Sequence, residues 1–232
     1  MGVLAAWLVH LYTASSAVFG LWAIVAMIQL EFRLAIYLML LTLVIDSTDG
    51  PLARLVDVRG RIPWIDGRRL DDVCDYFTYV LVPAVFLIQA GLLPHPAFAA
   101  APVLASAYGF SHQGAKTEDH FFLGFPSYWN VVAIYLYLLE FEARPALWLV
   151  LGLSAAVFVP LRYIYPSRTR ALRRLTLAVL LVWILCFSWL AVQLDPDPAL
   201  VRGTLLGPAY YIGASLLLNL RPRPEAAEDA SR

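Results

Sequence analysis

The residues of this chain best suited to chemistry are Asp46, Asp49, Asp71 and Asp75, which come in two pairs. Asp46 and Asp49 are three apart and Asp71 and Asp75 four apart, so on helices each pair shares a face. Asp72 adds a fifth carboxylate beside the second pair. Carboxylates gathered away from bulk water repel one another unless they are protonated or neutralised by cations. Their hard oxygens suit Mg2+ or Mn2+, and such ions commonly bring phosphates with them. Gly50 and Ala53 continue the Asp46/Asp49 face without side-chain bulk, which lets a flat base or a diphosphate approach the backbone. Arg54 places a guanidinium at the rim, suited to phosphate. One or two such acids would read as helix caps or surface charge. A full set on facing helix ends, in apolar surroundings, reads as a functional site.

The elements that position these acids are expected to be membrane helices. The chain is 61% hydrophobic and only 15% charged, with a mean hydropathy of +0.70. Ordinary globular domains carry about 25% charged residues, and a soluble chain of this size could not hide so much apolar surface. Runs of roughly 20 mostly apolar residues suffice to span a bilayer. Such runs lie near 5–28, 34–54, 68–90, 95–111, 127–143, 146–164, 173–193 and 203–220, separated by breakers such as Gly91, Pro94, Pro145, Pro166 and Pro198. The fold class expected is all-α: a polytopic membrane helix bundle of about eight transmembrane helices. One domain covers residues 1–220, followed by a disordered polar tail over 221–232. With eight spans, 14 of the 17 Lys and Arg residues fall on one side, and Arg33, Arg144 and Arg202 on the other. Basic residues favour the cytoplasm, so both termini and both aspartate pairs are expected there. No cleavable signal is evident, since Met1–Ala26 lacks a basic n-region. Cys74 and Cys186 read as packing residues, the four histidines show no metal-ligand spacing, and no nucleic-acid partner is expected.

The order of these residues resembles a known signature. Asp46-x2-Asp49-Gly50-x2-Ala53-Arg54, a spacer, then Gly67-x3-Asp71-x3-Asp75 matches the CDP-alcohol phosphotransferase family at all eight motif positions. The family's usual spacer is eight residues, whereas twelve lie between Arg54 and Gly67 here. The longer spacer resembles that of a bacterial subgroup of the family, as do Val9–Ser15, Leu70–Val80, Lys116–Asn130 and Phe158–Pro166. The resemblance implies an enzyme of phospholipid biosynthesis in the bacterial inner membrane. It would transfer the phosphatidyl group of CDP-diacylglycerol to choline, release CMP, and require Mn2+ or Mg2+ as two ions. It further implies that Asp46, Asp49, Asp71 and Asp75 hold metal and that Asp75 is the general base. Asp46, Asp49, Gly50, Ala53, Arg54, Gly67 and Asp71 would contact the CDP moiety, and many relatives are homodimers.

A quaternary ammonium has no N–H to donate and is held by aromatic faces and carboxylates. Tyr79 continues the Asp71/Asp75 face, and the 116–130 segment offers Glu118, Asp119, Tyr128, Trp129 and Asn130 on the same expected side. Tyr and Trp also serve as interface anchors, so each aromatic carries both readings. Lys116 and Arg162 are candidates for a lipid phosphate, although basic residues at cytoplasmic helix ends need no such role. Two alternatives stay open: transfer to serine, inositol phosphate or glycerol phosphate, and a transporter with a carboxylate relay. An acceptor phosphate calls for a concentrated basic pocket, and a relay calls for polar residues strung across several spans.

Overall fold

Nothing in Val3–Ile28 breaks a helix, and this segment forms α1, whose 26 residues reach about 39 Å at 1.5 Å per residue. The computed structural model describes residues 2–115, 117, 119–166, 169 and 172–220. The expected 221–232 tail lies outside the described residues. A tight reversal at Leu30, with φ +60°, leads into α2, Phe32–Val56, which continues through Pro51. Asp57 ends α2 in the left-handed region, with φ +52°, and its carboxylate accepts from the Gly60 amide to start the short α3, Val58–Arg61. The lengthened spacer is therefore an ordered cap. Arg61 Nε donates to the Val56 carbonyl at 2.6 Å, and Val58 and Ile62 bury against Ala6 and Val9 of α1.

Asp66 caps the next helix, α4 (Gly67–Asp75), by accepting from the backbone amides of Arg68 and Arg69. Directly after Asp75 the helix widens over Tyr76–Leu81 to the i→i+5 hydrogen bonding of a π-turn, then tightens into α5, Val82–Gln89. A 3₁₀ turn at Pro96–Ala99 leads into α6, Ala100–Ser111. Two short strands, β1 (Phe121–Leu123) and β2 (Arg162–Ile164), pair antiparallel and enclose α7 (Trp129–Leu138) and α8 (Ala143–Ala156) between them. The chain closes with α9 (Arg173–Ala191), α10 (Pro198–Thr204) and α11 (Leu206–Asn219).

Helical bodies stand at each of the eight apolar runs, but several are shorter than the run that holds them. The 127–143 and 146–164 runs give helices of 10 and 14 residues, about 15 and 21 Å long. Two features withdraw residues 157–164 from a helix. Pro160 cannot continue one, and residues 162–164 pair with β1, with Phe121 opposite Ile164. Gly124 makes this possible. It sits at φ +80°, and a Cβ there would fall 2.1 Å from the Val157 carbonyl oxygen.

α1 packs against α2, α4 and α5 through small residues that let backbones approach, as is usual between membrane helices. Ala6, Ser16, Gly20, Ala23 and Ala26 all lie buried on that face. At Gly20 an added Cβ would come within 2.9 Å of the Phe77 ring. The outer surface is apolar: Trp22 on α1 and Leu181 and Leu185 on α9 are each more than half exposed. Among the described residues, α1 and α9 are long and apolar enough to cross a membrane by length and composition.

Candidate active site

The C-terminal half of α2 and the whole of α4 face one another across α1, and their acids converge. One carboxylate oxygen each from Asp46, Asp49 and Asp71 lie within 4.8 Å of one another. Asp75, at the end of α4, sets its carboxylate against that of Asp46, with Asp71 and Asp49 close enough to act on it electrostatically. Asp49 is buried, and Asp46, Asp71 and Asp75 are half-buried. The four expected acids are thus brought together, three as a tight cluster and the fourth alongside. A donor set made only of carboxylate oxygens fits a hard divalent cation.

Two hydroxyls reach into the cluster. Thr13 on α1 donates to Asp49 Oδ2 at 2.8 Å, and Tyr79 in the π-turn donates to Asp46 Oδ2 at 2.6 Å. Next to them, the Tyr12 and Thr48 hydroxyls bond at 2.7 Å and tie α1 to α2. Thr13, which touches an acid, and His10, which packs against Gly67, were passed over in the sequence. A signal existed: His10, Thr13, Ser16 and Gly20 form a polar and small stripe at helical spacing along an apolar run. The His10 ring is buried against Gly67, where an added Cβ would stand 3.0 Å from Cε1, and its Nε2 has no hydrogen-bond partner among the described residues. Gly67 thus leaves room for an imidazole. Over Gly50 lies the guanidinium of Arg54, with Nη1 3.4 Å from where a Cβ would be, and Arg54 itself is exposed. Ala53 packs on the apolar cluster of Ala6, Val9, Val58 and Ile62.

The acceptor candidates separate into two groups. Tyr79 and Tyr128 stand close together, ring centroids 6.2 Å apart, and Tyr128 continues to Tyr211 at 6.0 Å and Tyr211 to Tyr163 at 6.2 Å. These rings form a wall running from Asp46 to the β-hairpin; Tyr163 and Tyr211 were not expected in it. Trp129 lies in the core, 1% exposed, and its indole N–H donates to Ser106 Oγ at 2.8 Å, which gives it a packing role rather than an interface position. Asn130 is equally buried; its Oδ1 accepts from the Val131 amide and its Nδ2 has no partner among the described residues. Asp119 and Arg162 take each other at 3.1 Å, and Arg162 also donates to the Leu218 carbonyl and lies over the Phe121 ring. That clasp ties the hairpin to α11. Lys116 and Glu118 lie outside the described residues.

This sequence is similar to several curated proteins of one kind. It is 42% identical over 168 residues to the phosphatidylcholine synthase of Legionella pneumophila, an alignment covering 71% of this chain and 66% of that protein. With the phosphatidylcholine synthase of Pseudomonas aeruginosa it shares 36% over 220 residues, 93% of this chain and 92% of that protein. With that of Borreliella burgdorferi it shares 35% over 190 residues, 81% of each. The chain belongs to the phosphatidylcholine synthase family. No family model matches it. The membership agrees with the resemblance to the CDP-alcohol phosphotransferases read from the eight signature residues. It also makes the apolar exterior that of a membrane protein. Seen as a phosphatidylcholine synthase, the lengthened spacer is a folded cap anchored on α1 by Val58 and Ile62.

Proposed function

We propose that this chain is a phosphatidylcholine synthase, CDP-diacylglycerol–choline O-phosphatidyltransferase, which joins phosphatidyl to choline and releases CMP. The observation that carries the reading is the 36% identity to such a protein along 93% of the chain. The convergence of Asp46, Asp49, Asp71 and Asp75 supplies the chemistry. In the reaction the choline oxygen forms a bond to the phosphatidyl phosphorus, the bond from that phosphorus to the CMP oxygen breaks, and CMP leaves. Asp75 takes the hydroxyl proton. Its place at the edge of the cluster, beside rather than within the tight trio, suits a base. Asp46, Asp49 and Asp71 would hold the metal, which when bound would supply Lewis acidity to phosphoryl oxygens and offset charge on the leaving group.

Gly50 and Arg54 face the CDP moiety, and Gly67 makes room for the His10 ring beside them. Arg54 is exposed at the rim, free to turn a planar fork toward a diphosphate. The rings of Tyr79 and Tyr128 flank the acids and are the choline-facing surface, since aromatic faces and carboxylates attract a quaternary ammonium. The family resemblance further implies two ions, Mn2+ or Mg2+, and a homodimer. Eight spans with both termini cytoplasmic, and the site at the cytoplasmic face of the bacterial inner membrane, fit this reading. The ends of α2 and α4 that carry the acids also carry Arg54, Arg68 and Arg69, the residues expected on that side. Purified protein given CDP-diacylglycerol, Mn2+ and labelled choline should yield labelled phosphatidylcholine and CMP, and chelation should stop both. CMP release with serine but not choline would overturn the acceptor. No metal-dependent CMP release with any alcohol would overturn the reaction.

A further inference from the structure

Thr13 and Tyr79 stand outside the eight-residue signature, on two different elements, yet each donates a hydrogen bond to one of its carboxylates. Both are buried, Thr13 8% and Tyr79 7% exposed. We propose that Thr13 and Tyr79 are positioning residues that hold Asp49 and Asp46 in the orientation in which they bind metal. The proposal rests on the metal-dependent reading above.

Carboxylate χ2 is a broad, weakly preferred torsion, so an aspartate alone does not fix the plane of its oxygens. A single donor to Oδ2 does fix it. The chemical type of the donor matters here. A hydroxyl bonds one oxygen and leaves the carboxylate its full negative charge, whereas Lys or Arg in the same place would compete with a cation. Thr13 and Tyr79 both donate through hydroxyls, and they act beside the Gly50 amide and Asp71 at Asp49 and beside Asp75 at Asp46. Each also has its own support. Thr13 is held by the packing of α1, where the Ser16 hydroxyl donates to the Thr13 carbonyl and the neighbouring Tyr12–Thr48 bond ties the same turn to α2. Tyr79 is held by the π-turn, whose wider spacing sets the direction of the phenol after Asp75. Orienting groups of this kind typically change metal affinity by about 10–100-fold when removed.

The test is a titration of detergent-purified protein with Mn2+ alone, read by electron paramagnetic resonance. It compares the parent chain with Thr13→Val, Thr13→Ser and Tyr79→Phe. Thr13→Val keeps the shape and loses the donor; Thr13→Ser keeps the donor; Tyr79→Phe keeps the aromatic face and loses only the hydroxyl. Mn2+ should bind about tenfold more weakly to Thr13→Val and to Tyr79→Phe, with Thr13→Ser within about twofold of the parent. Unchanged Mn2+ affinity in Thr13→Val and Tyr79→Phe overturns the proposal. Equal weakening in Thr13→Val and Thr13→Ser reduces Thr13 to packing and overturns its half. A raised KM for choline in Tyr79→Phe with unchanged Mn2+ affinity overturns the other half. The parent chain failing to make phosphatidylcholine would instead strike the underlying reading, so the two failures are distinct.

Discussion

Asp75 differs from the other three acids in where it stands, and that difference has a measurable consequence. It lies beside the trio of Asp46, Asp49 and Asp71, at the last position of α4. Asp75→Asn keeps the side-chain shape and removes the basic oxygen. Turnover with choline should fall by about 10²–10⁴-fold, the usual contribution of a general base, while Mn2+ binding falls less. Asp46→Asn should do the reverse, losing Mn2+ binding first. Initial rates and Mn2+ titration on the same preparations check the pair. A second residue-scale outcome concerns Gly67, whose missing Cβ gives the buried His10 ring its place. Gly67→Ala should lower activity and thermal stability, and His10→Ala in the same chain should recover part of both. Recovery would register as coupling in a double-mutant cycle. No recovery would mean that His10 has its own part in the site.

At the scale of elements, Gly124 decides whether the hairpin can close. Its φ of +80° and the 2.1 Å approach of a Cβ to the Val157 carbonyl leave no room for any side chain. Gly124→Ala should cost more than about 3 kcal/mol, placing it among the large, mechanism-specific losses. It should show as a clear fall in the unfolding temperature in detergent. The elements near the acids were legible in the sequence because helical periodicity and the Asp46/Asp49 and Asp71/Asp75 spacings say the same thing twice. The hairpin was not legible. Three-residue strands carry too little alternation to stand out from apolar runs, and residues 162–164 were read as the end of a span. Thr13 and His10 were legible only as a stripe along α1; what they touch depends on how α1 packs, and no local pattern encodes that. Arg162 and Asp119 read as separate candidates in the sequence, and their pairing across 43 residues is visible only in the fold. The aromatic wall of Tyr128, Tyr211 and Tyr163 joins the start of α7 to α11 and β2, elements distant in sequence.

For the whole molecule, the apolar exterior and the position of the acids make an experiment on orientation direct. Cys186 is exposed on α9 amid apolar residues, so in membranes it should resist a membrane-impermeant maleimide and react only after solubilisation. Trp64, in the loop that joins α3 to α4, is 69% exposed. With both native cysteines replaced by Ala, a Trp64→Cys chain should label in inside-out vesicles and not in right-side-out ones. The opposite pattern would put the acids at the outer face and reverse the proposed topology.

The widened turn at Tyr76–Leu81 reaches beyond this one molecule. A wide turn takes up one residue more than an α-turn of the same rise, so a homologue with an uninterrupted helix there would be one residue shorter. Aligning the two correctly puts the gap inside a helix, directly after the last aspartate of the signature. A procedure that confines gaps to loops would shift every later residue of that helix by one, and would pair Tyr79 with a neighbour that points elsewhere.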